Sequence, residues 1–331
     1  MLPESVRITA AQFQLKETLS QRLTVNPDAV LLYQEFGSFL SELFRGFSKP
    51  GSQIIASAPC LPEIALSCDK ADIQFVKADS GHFSDNGFEE IKKQVKSTGD
   101  IIYLSNPNRL SGTTFSLAQL KLLADLVKEG LLIVDEFYHD FSKLTALSLL
   151  KSHNNLIILR PFENWAVSQD SESGFAIASD SISNRAEFNS LTDTIDRFTA
   201  QKCLETVLNS GLSEKEVEKI HSRSLLVAKE LTRIGIKCRI TPTDFILLQF
   251  PQNADTLKLL VDENFRIDQI EGSTGKQSLF RYRITNSDRD LRFIEVLSRH
   301  SKLPVQPFSK NRITTAPVKP NDNTHTKSLF G

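Results

Sequence analysis

Short apolar runs separated by amphipathic, capped segments dominate the first half of the chain. "SQIIAS" (52–57), "DIQFVKA" (72–78), "DIIYLS" (100–105) and "LLIV" (131–134) predict strands. "LLIV" lacks polar alternation, which predicts a strand covered on both faces and therefore a mostly parallel sheet. Between them, "FEEIKKQVKSTG" predicts an amphipathic helix closed by Gly99. "SLAQLKLLADLVKEG" predicts a second helix, opened by a capping box of Ser116 and Gln119 and stopped at Gly130, with Leu120, Leu123, Ala124 and Val127 on one face. Apolar runs at 156–159 and 175–178 predict two more strands around a polar link, "RPFENWAVSQDSESG". Strand and helix alternation of this kind predicts a doubly wound α/β domain.

The pattern changes after about residue 185. Helical sequence runs to Gly235 and includes a second capping box, Ser213 with Glu216. "KCRITPTDFILLQF", "FRIDQI" and "LFRYRIT" then surround a short helical stretch near "ADTLKLLVDE", and "DLRFIEVLSRHS" predicts a closing helix. That mixture suits a smaller α+β domain with an antiparallel sheet. The expected organisation is an N-terminal segment (1–34), a large α/β domain (35–205), a small α+β domain (206–303) and a tail (304–331). The tail is polar, contains Pro304, Pro307, Pro317 and Pro320, has no periodicity and is expected to be disordered.

Composition narrows the class. The chain has 331 residues, 40% of them hydrophobic, enough for a large core and two domains. A net charge of -1 gives no broad attraction to nucleic acid or anionic membrane, and neither is expected as a partner. No apolar run is long enough to span a bilayer, and "MLPESVRITAAQFQL" has no basic region followed by an apolar one, so a cytoplasmic protein is expected. Cys60, Cys68, Cys203 and Cys238 are scattered without a CxxC pair, which predicts reduced thiols and no metal site.

In an open parallel sheet, ligands sit beyond the carboxyl ends of the strands. Three segments fall there: "SNPNRLSG" (105–112), "VDEFYHDF" (134–141) and the polar link after "NLIILR". Each has an ordinary structural explanation, since Asn-Pro and Ser-Gly mark turns and an Asp at a strand end is often a cap or ion-pair partner. Together they resemble the class I/II aminotransferases of the pyridoxal-phosphate (PLP) fold, above all the histidinol-phosphate aminotransferases. "SNPNRLSG" is similar to that family's NPNNPTG loop and "VDEFYHDF" to its VDEAYxxF strand end. "NLIILRPFENWAVSQDSESGFAIAS" is similar, without a gap, to NLIVLRTFSKAFGLAGLRIGYAIAS. "TPTDFILLQF" resembles the SxxNFIL strand, and "FRYRITNSDRDLRFIEVL" the LRITVGTxEENxxFLxAL ending. The likeness runs from about residue 35 to about residue 300. It implies an aminotransferase-like large domain with a mostly parallel central sheet and a smaller α+β domain, and PLP as cofactor.

The resemblance also implies what is lost. The lysine that forms the Schiff base with PLP falls on Asn164, whose amide cannot condense with an aldehyde. The arginine that holds the cofactor phosphate falls on Glu172, which inverts the sign of that contact, a swing of roughly several kcal/mol at an effective dielectric near 20. The hydroxyl three residues before the lysine falls on Pro161, and the serine just before it on Glu163. The asparagine expected at the cofactor's phenolic oxygen falls on Arg109, and the ring-stacking aromatic of PTFxxY on Leu61. The G-(S/A)-D-E phosphate loop falls on Glu35-Phe36-Gly37-Ser38. Retained are Asp135, the family's partner of the pyridinium nitrogen, Tyr138, which approaches the phenolic oxygen, and Arg283, at the arginine that binds the substrate carboxylate. Without a pyridinium, Asp135 is free to bond backbone or Arg109. Only about thirty-five residues precede the first shared segment, so the family's N-terminal arm is expected to be shortened or absent.

The expected function is an aminotransferase-like protein that has lost PLP-dependent transamination and acts as a ligand-binding, regulatory or partner subunit. PLP binding is expected to be weak or absent. The expected partners are a small carboxylate or amino-acid ligand and a second subunit, a copy of this chain or an active homologue. The alternative is a working aminotransferase, acting on an amino acid or a histidinol-phosphate-like substrate, that uses another lysine. Lys143, Lys151 and Lys202 are nearest in sequence. A third reading is an enzyme without PLP built on Glu163, Asp170 and His139.

Overall fold

The computed structural model describes residues 9–79, 87–162, 172–191, 193–208, 214–251, 260, 262–263, 265, 267–270 and 277–300. Asn164, Glu163, Asp170, Ser213, most of "ADTLKLLVDE" and the tail lie outside them.

The described strands of the larger layer are β1 (Val30–Tyr33), β2 (Gln53–Ser57), β3 (Gln74–Ala78), β4 (Ile101–Ser105), β5 (Leu131–Asp135), β6 (Leu156–Pro161) and β7 (Gly174–Ala178). They form one sheet in the order β1-β7-β6-β5-β4-β2-β3. The run from β3 to β6 is parallel, and β7 pairs antiparallel with both β6 and β1. The helices facing this sheet include α1 (Ala10–Leu23), α2 (Phe36–Phe47), α3 (Pro62–Ala71), α4 (Gly87–Gln94) and α5 (Leu117–Leu126). On β5, Leu132 and Val134 enter a core with Leu15, Leu19, Leu120 and Leu123, while Leu131 and Ile133 enter the opposite core with Phe39, Leu40, Phe44 and Ile64. Strand pleating sends alternate residues to opposite faces, so a strand covered by helices on both sides must be apolar throughout.

The capping box of Ser116 and Gln119 opens α5 as the sequence predicts. The helix expected over 88–99 stops at Gln94. Asp100 explains the early stop: its buried carboxylate accepts from the backbone N–H groups of Lys96 and Ser97 at 2.8 and 3.1 Å and turns the chain into β4. The sequence reading did not separate α1 and β1 as elements. Thr9 caps α1 in a capping box with Gln12, and the "VLLY" of β1 is wholly buried at the edge of the sheet.

The short helices α6 (His139–Ser142), α7 (Asp180–Ser183) and α8 (Ala186–Asn189) and the longer α9 (Arg197–Leu208) and α10 (Glu214–Arg233) follow in chain order. A second sheet comprises β8 (Lys237–Ile240), β9 (Phe245–Pro251), β10 (Ile267–Gln269) and β11 (Gln277–Arg283), antiparallel throughout in the order β10-β11-β9-β8. One face of this sheet packs Ile246, Leu248, Phe280 and Tyr282 against Val227 and Leu231 of α10 and Phe293 and Leu297 of α11 (Ser287–His300). Its other face, with Phe245, Leu247 and Leu279, packs on Phe137 and Tyr138 just after β5. That contact sets the second sheet over the carboxyl end of the first, where ligands bind in open α/β sheets.

Candidate functional site

Asp135 is the last residue of β5 and is 2% exposed. Pleating explains its company: Tyr103 and Ser105 lie two residues apart on neighbouring β4, with Ser105 directly opposite Asp135. Tyr103 Oη donates to Asp135 Oδ2 at 2.7 Å and Ser105 Oγ donates to the same oxygen at 3.2 Å. The Phe137 backbone N–H takes Oδ1 at 3.1 Å. Arg109 completes the set, its Nη1 lying 3.5 Å from Oδ2. Burial and the Asp135 charge hold the Tyr103 phenol well above its usual pKa, so it stays a neutral donor. Burial opposes charge on Arg109, yet Asp135 beside it holds its pKa above the usual arginine value.

Local chemistry presents Arg109. The Asn106 side chain bridges the Phe115 backbone, donating to its carbonyl at 3.0 Å and accepting its N–H at 2.8 Å. Asn108 Oδ1 accepts from the N–H groups of Leu110 and Ser111, and its amide donates to Pro59 O. Gly112, at φ +65°, lets the loop pack so closely on Thr241 that a Cβ there would collide with it. Fixed in this way, Arg109 lays its guanidinium 3.8 Å from the Phe137 ring centroid and 5.2 Å from that of Phe36.

A cavity of about 120 Å³ adjoins Arg109 and Asp135. Its walls include Phe36, Leu61, Glu63, Pro161 and Glu172. The sequence reading thus brought Arg109, Asp135, Leu61, Pro161 and Glu172 to one place, and the structure assembles them there. Of the stretch Glu35-Phe36-Gly37-Ser38, which begins α2, only Phe36 reaches this wall. Glu63 Oε2 is buried with no hydrogen-bond partner among the described residues.

Tyr138 and Arg283 meet on a different partner. Arg283 Nε lies 2.9 Å from Asp244 Oδ2, and the same carboxylate lies close enough to Tyr138 to act on its phenol. Burial, followed by the nearby Asp244 charge, raises the Tyr138 pKa and keeps the phenol protonated. Asp244 was missed in sequence. Its signal was present in "TPTDFIL", where the similar SxxNFIL strand carries Asn at that position. Glu63 and Tyr103 were missed as well, and the alternation of "DIIYLS" could have put Tyr103 on the face of Ser105.

Beneath the site lies a second buried ion pair. Glu136, 1% exposed, accepts from Arg160 Nε and Nη2 at 2.9 and 2.8 Å, from Thr145 at 3.0 Å and from the Ala146 N–H at 2.6 Å. His139 lies 4.0 Å from Glu136 and shares a 3.1 Å hydrogen bond with Leu144 O; burial, reinforced by Arg160, lowers its pKa. Lys143, Lys151 and Lys202 are exposed, and none lines the cavity. Cys60, Cys68, Cys203 and Cys238 form no disulfide. Among the described residues there is no cluster of metal ligands and no helix long and apolar enough to cross a membrane.

The family description "Aminotransferase class I and II" matches residues 4–316. The chain is 26% identical over 243 residues to histidinol-phosphate aminotransferase 1 of Carboxydothermus hydrogenoformans, covering 73% of this chain and 69% of that protein. Its fold is similar to the crystal structure of the histidinol-phosphate aminotransferase from Clostridium acetobutylicum, with a TM-score of 0.73, 18% identity and coverage of 89% and 91% of the two chains. It is also similar to the Sinorhizobium meliloti histidinol-phosphate aminotransferase in complex with pyridoxal-5'-phosphate, with a TM-score of 0.67, 14% identity and coverage of 90% and 83%. The chain belongs to the class I and II aminotransferases, the PLP-dependent family that its motifs resemble.

Proposed function

We propose that this member of the class I and II aminotransferases does not carry out PLP-dependent transamination and works in the cytoplasm as a non-catalytic ligand-binding, regulatory or partner subunit. One observation carries the reading: Arg109 reaches Asp135 at 3.5 Å while stacked 3.8 Å over Phe137. Asp135 stands at the family's pyridinium-binding carboxylate. A flat cation over an aromatic ring and beside a buried carboxylate supplies from within the chain the charge that the cofactor ring would bring. A cofactor would have to displace a guanidinium that the folded loop already holds.

The residues present do not fit PLP. The cavity of about 120 Å³ is well below the roughly 300–1,000 Å³ of ordinary small-molecule sites. Glu172 and Glu63 line it, and a carboxylate facing a phosphate is repulsive. Asn164 stands in sequence where the family has its Schiff-base lysine. The exposure of Lys143, Lys151 and Lys202 speaks against a substitute lysine, and His139 is turned to Leu144 and Glu136 rather than lining the cavity.

The test is an amino-transfer assay of purified protein with excess PLP, a panel of amino donors and an oxo-acid acceptor. The reading expects no turnover above a protein-free control. Protein-dependent turnover that saturates with donor would overturn it.

A further inference from the structure

We propose that Asp244 sets what this site admits: its carboxylate holds Arg283 from within and thereby excludes ligands that carry a carboxylate. The inference rests on reading Arg283 as the family's carboxylate-binding position, and it runs against the expectation of a carboxylate or amino-acid ligand drawn from the sequence.

The pair is built into the sheet. Asp244 immediately precedes β9 and Arg283 ends β11; their strands are paired so that Arg283 opposes Phe245. The Ile284 N–H donates to the Asp244 carbonyl at 2.8 Å, which fixes the two backbones at the position of the ion pair. Arg283 Nε then meets Asp244 Oδ2 at 2.9 Å, with the buried Tyr138 beside the same carboxylate. A ligand carboxylate arriving here would want the Arg283 guanidinium. That guanidinium is engaged by a carboxylate held at very high effective concentration, because no translational freedom is lost when it binds. The incoming anion would also face the Asp244 charge.

Two further contacts keep this arrangement over the first sheet without a ligand. Arg281 Nη1 donates to Arg109 O at 3.0 Å, and Arg239 Nη2 donates to Ser111 O at 2.8 Å. The loop that carries Arg109 is therefore clasped by two arginines of the second sheet, while a third arginine of that sheet is neutralised by Asp244. Asp244 Oδ1 is buried and has no hydrogen-bond partner among the described residues. The site therefore disfavours amino acids and oxo acids alike.

The experiment is titration of full-length protein with sodium propionate against a sodium chloride control at equal ionic strength. Binding is followed by calorimetry and by the shift in melting temperature. Asp244→Ala is expected to bind propionate at least tenfold more tightly than wild type, and Arg283→Gln added to that variant is expected to remove the gain. Asp244→Asn keeps the side-chain volume and gives a second, well-folded background, also expected to bind more tightly than wild type. Equal propionate affinity in wild type and variants, or a gain that survives Arg283→Gln, would overturn the proposal. Titration of the wild type with PLP judges the cofactor reading separately, since it does not involve the Asp244 substitutions.

Discussion

The guanidinium of Arg109 lies over the face of Phe137, 3.8 Å from the ring centroid. The two residues come from successive strand ends, Arg109 from the loop after β4 and Phe137 from the turn after β5. Asp135 joins them, accepting from the Phe137 N–H at 3.1 Å and from Arg109 at 3.5 Å. A buried carboxylate, a planar cation and an aromatic face form a unit whose charge is balanced without any ligand.

Removing the cation should therefore cost stability. Arg109→Ala is expected to destabilise the protein by about 1–3 kcal/mol, through loss of the ring contact and of one charged donor to a buried carboxylate. Arg109→Lys should recover only part of this, because an ammonium has the charge without the flat face. Urea unfolding of the three proteins measures both values; equal stability of Arg109→Ala and wild type would show that the stack contributes nothing.

The pair beneath the site should be costlier to break. Arg160→Ala leaves the buried Glu136 carboxyl without its cation partner, and a loss of about 3–5 kcal/mol is expected. Replacing both partners by apolar residues, Glu136→Leu with Arg160→Met, should cost less than either single change, because no unpaired charge remains. A double-mutant cycle by thermal or urea unfolding checks the order of the three variants.

His139 makes a pH prediction. Its folded-state pKa lies below the usual histidine value, first because it is buried and then because Arg160 is close; Leu144 O, Glu136 and Asp140 act in the opposite direction. The unfolded chain therefore binds the proton more readily than the native one. The contribution of His139 to stability is fully present above about pH 6.5 and is lost as pH falls through the lowered folded value. His139→Gln should flatten the decline in melting temperature between neutral and mildly acidic pH; an unchanged slope would assign the decline to other groups.

Much of this arrangement was readable in sequence. The unbroken apolar run at 131–134 announces a strand covered on both faces, and Leu131–Asp135 is buried along its length. Motif comparison put Arg109, Asp135, Leu61, Pro161 and Glu172 at one site because strand ends gather at one edge of a parallel sheet. The partner of Arg283 was not readable from local pattern. Asp244 is its neighbour only through the β9–β11 pairing, and that register depends on side-chain fit across the sheet rather than on the residues flanking either strand. The early end of α4 is by contrast local, set by the Asp100 carboxylate accepting from the Lys96 and Ser97 N–H groups, and it is held in place by the Gln53 side chain at 3.3 Å.

Restoring the lysine alone should not restore chemistry. Asn164→Lys would supply an amine, but Glu172 would still face a phosphate and Arg109 would still occupy Asp135. No measurable turnover of an amino donor is expected from the single variant supplied with PLP. Turnover would mean that the other departures from the family pattern matter less than their charges imply.

The central claim is that Arg109 already neutralises Asp135 and leaves no counter-charge there for the cofactor ring. The most direct measurement is titration of the wild-type protein with PLP, followed by absorbance and calorimetry, with borohydride reduction and mass analysis of the product. The account predicts no saturable heat and no lysine-bound cofactor. Tight saturable binding, with the cofactor trapped on a lysine, would contradict it.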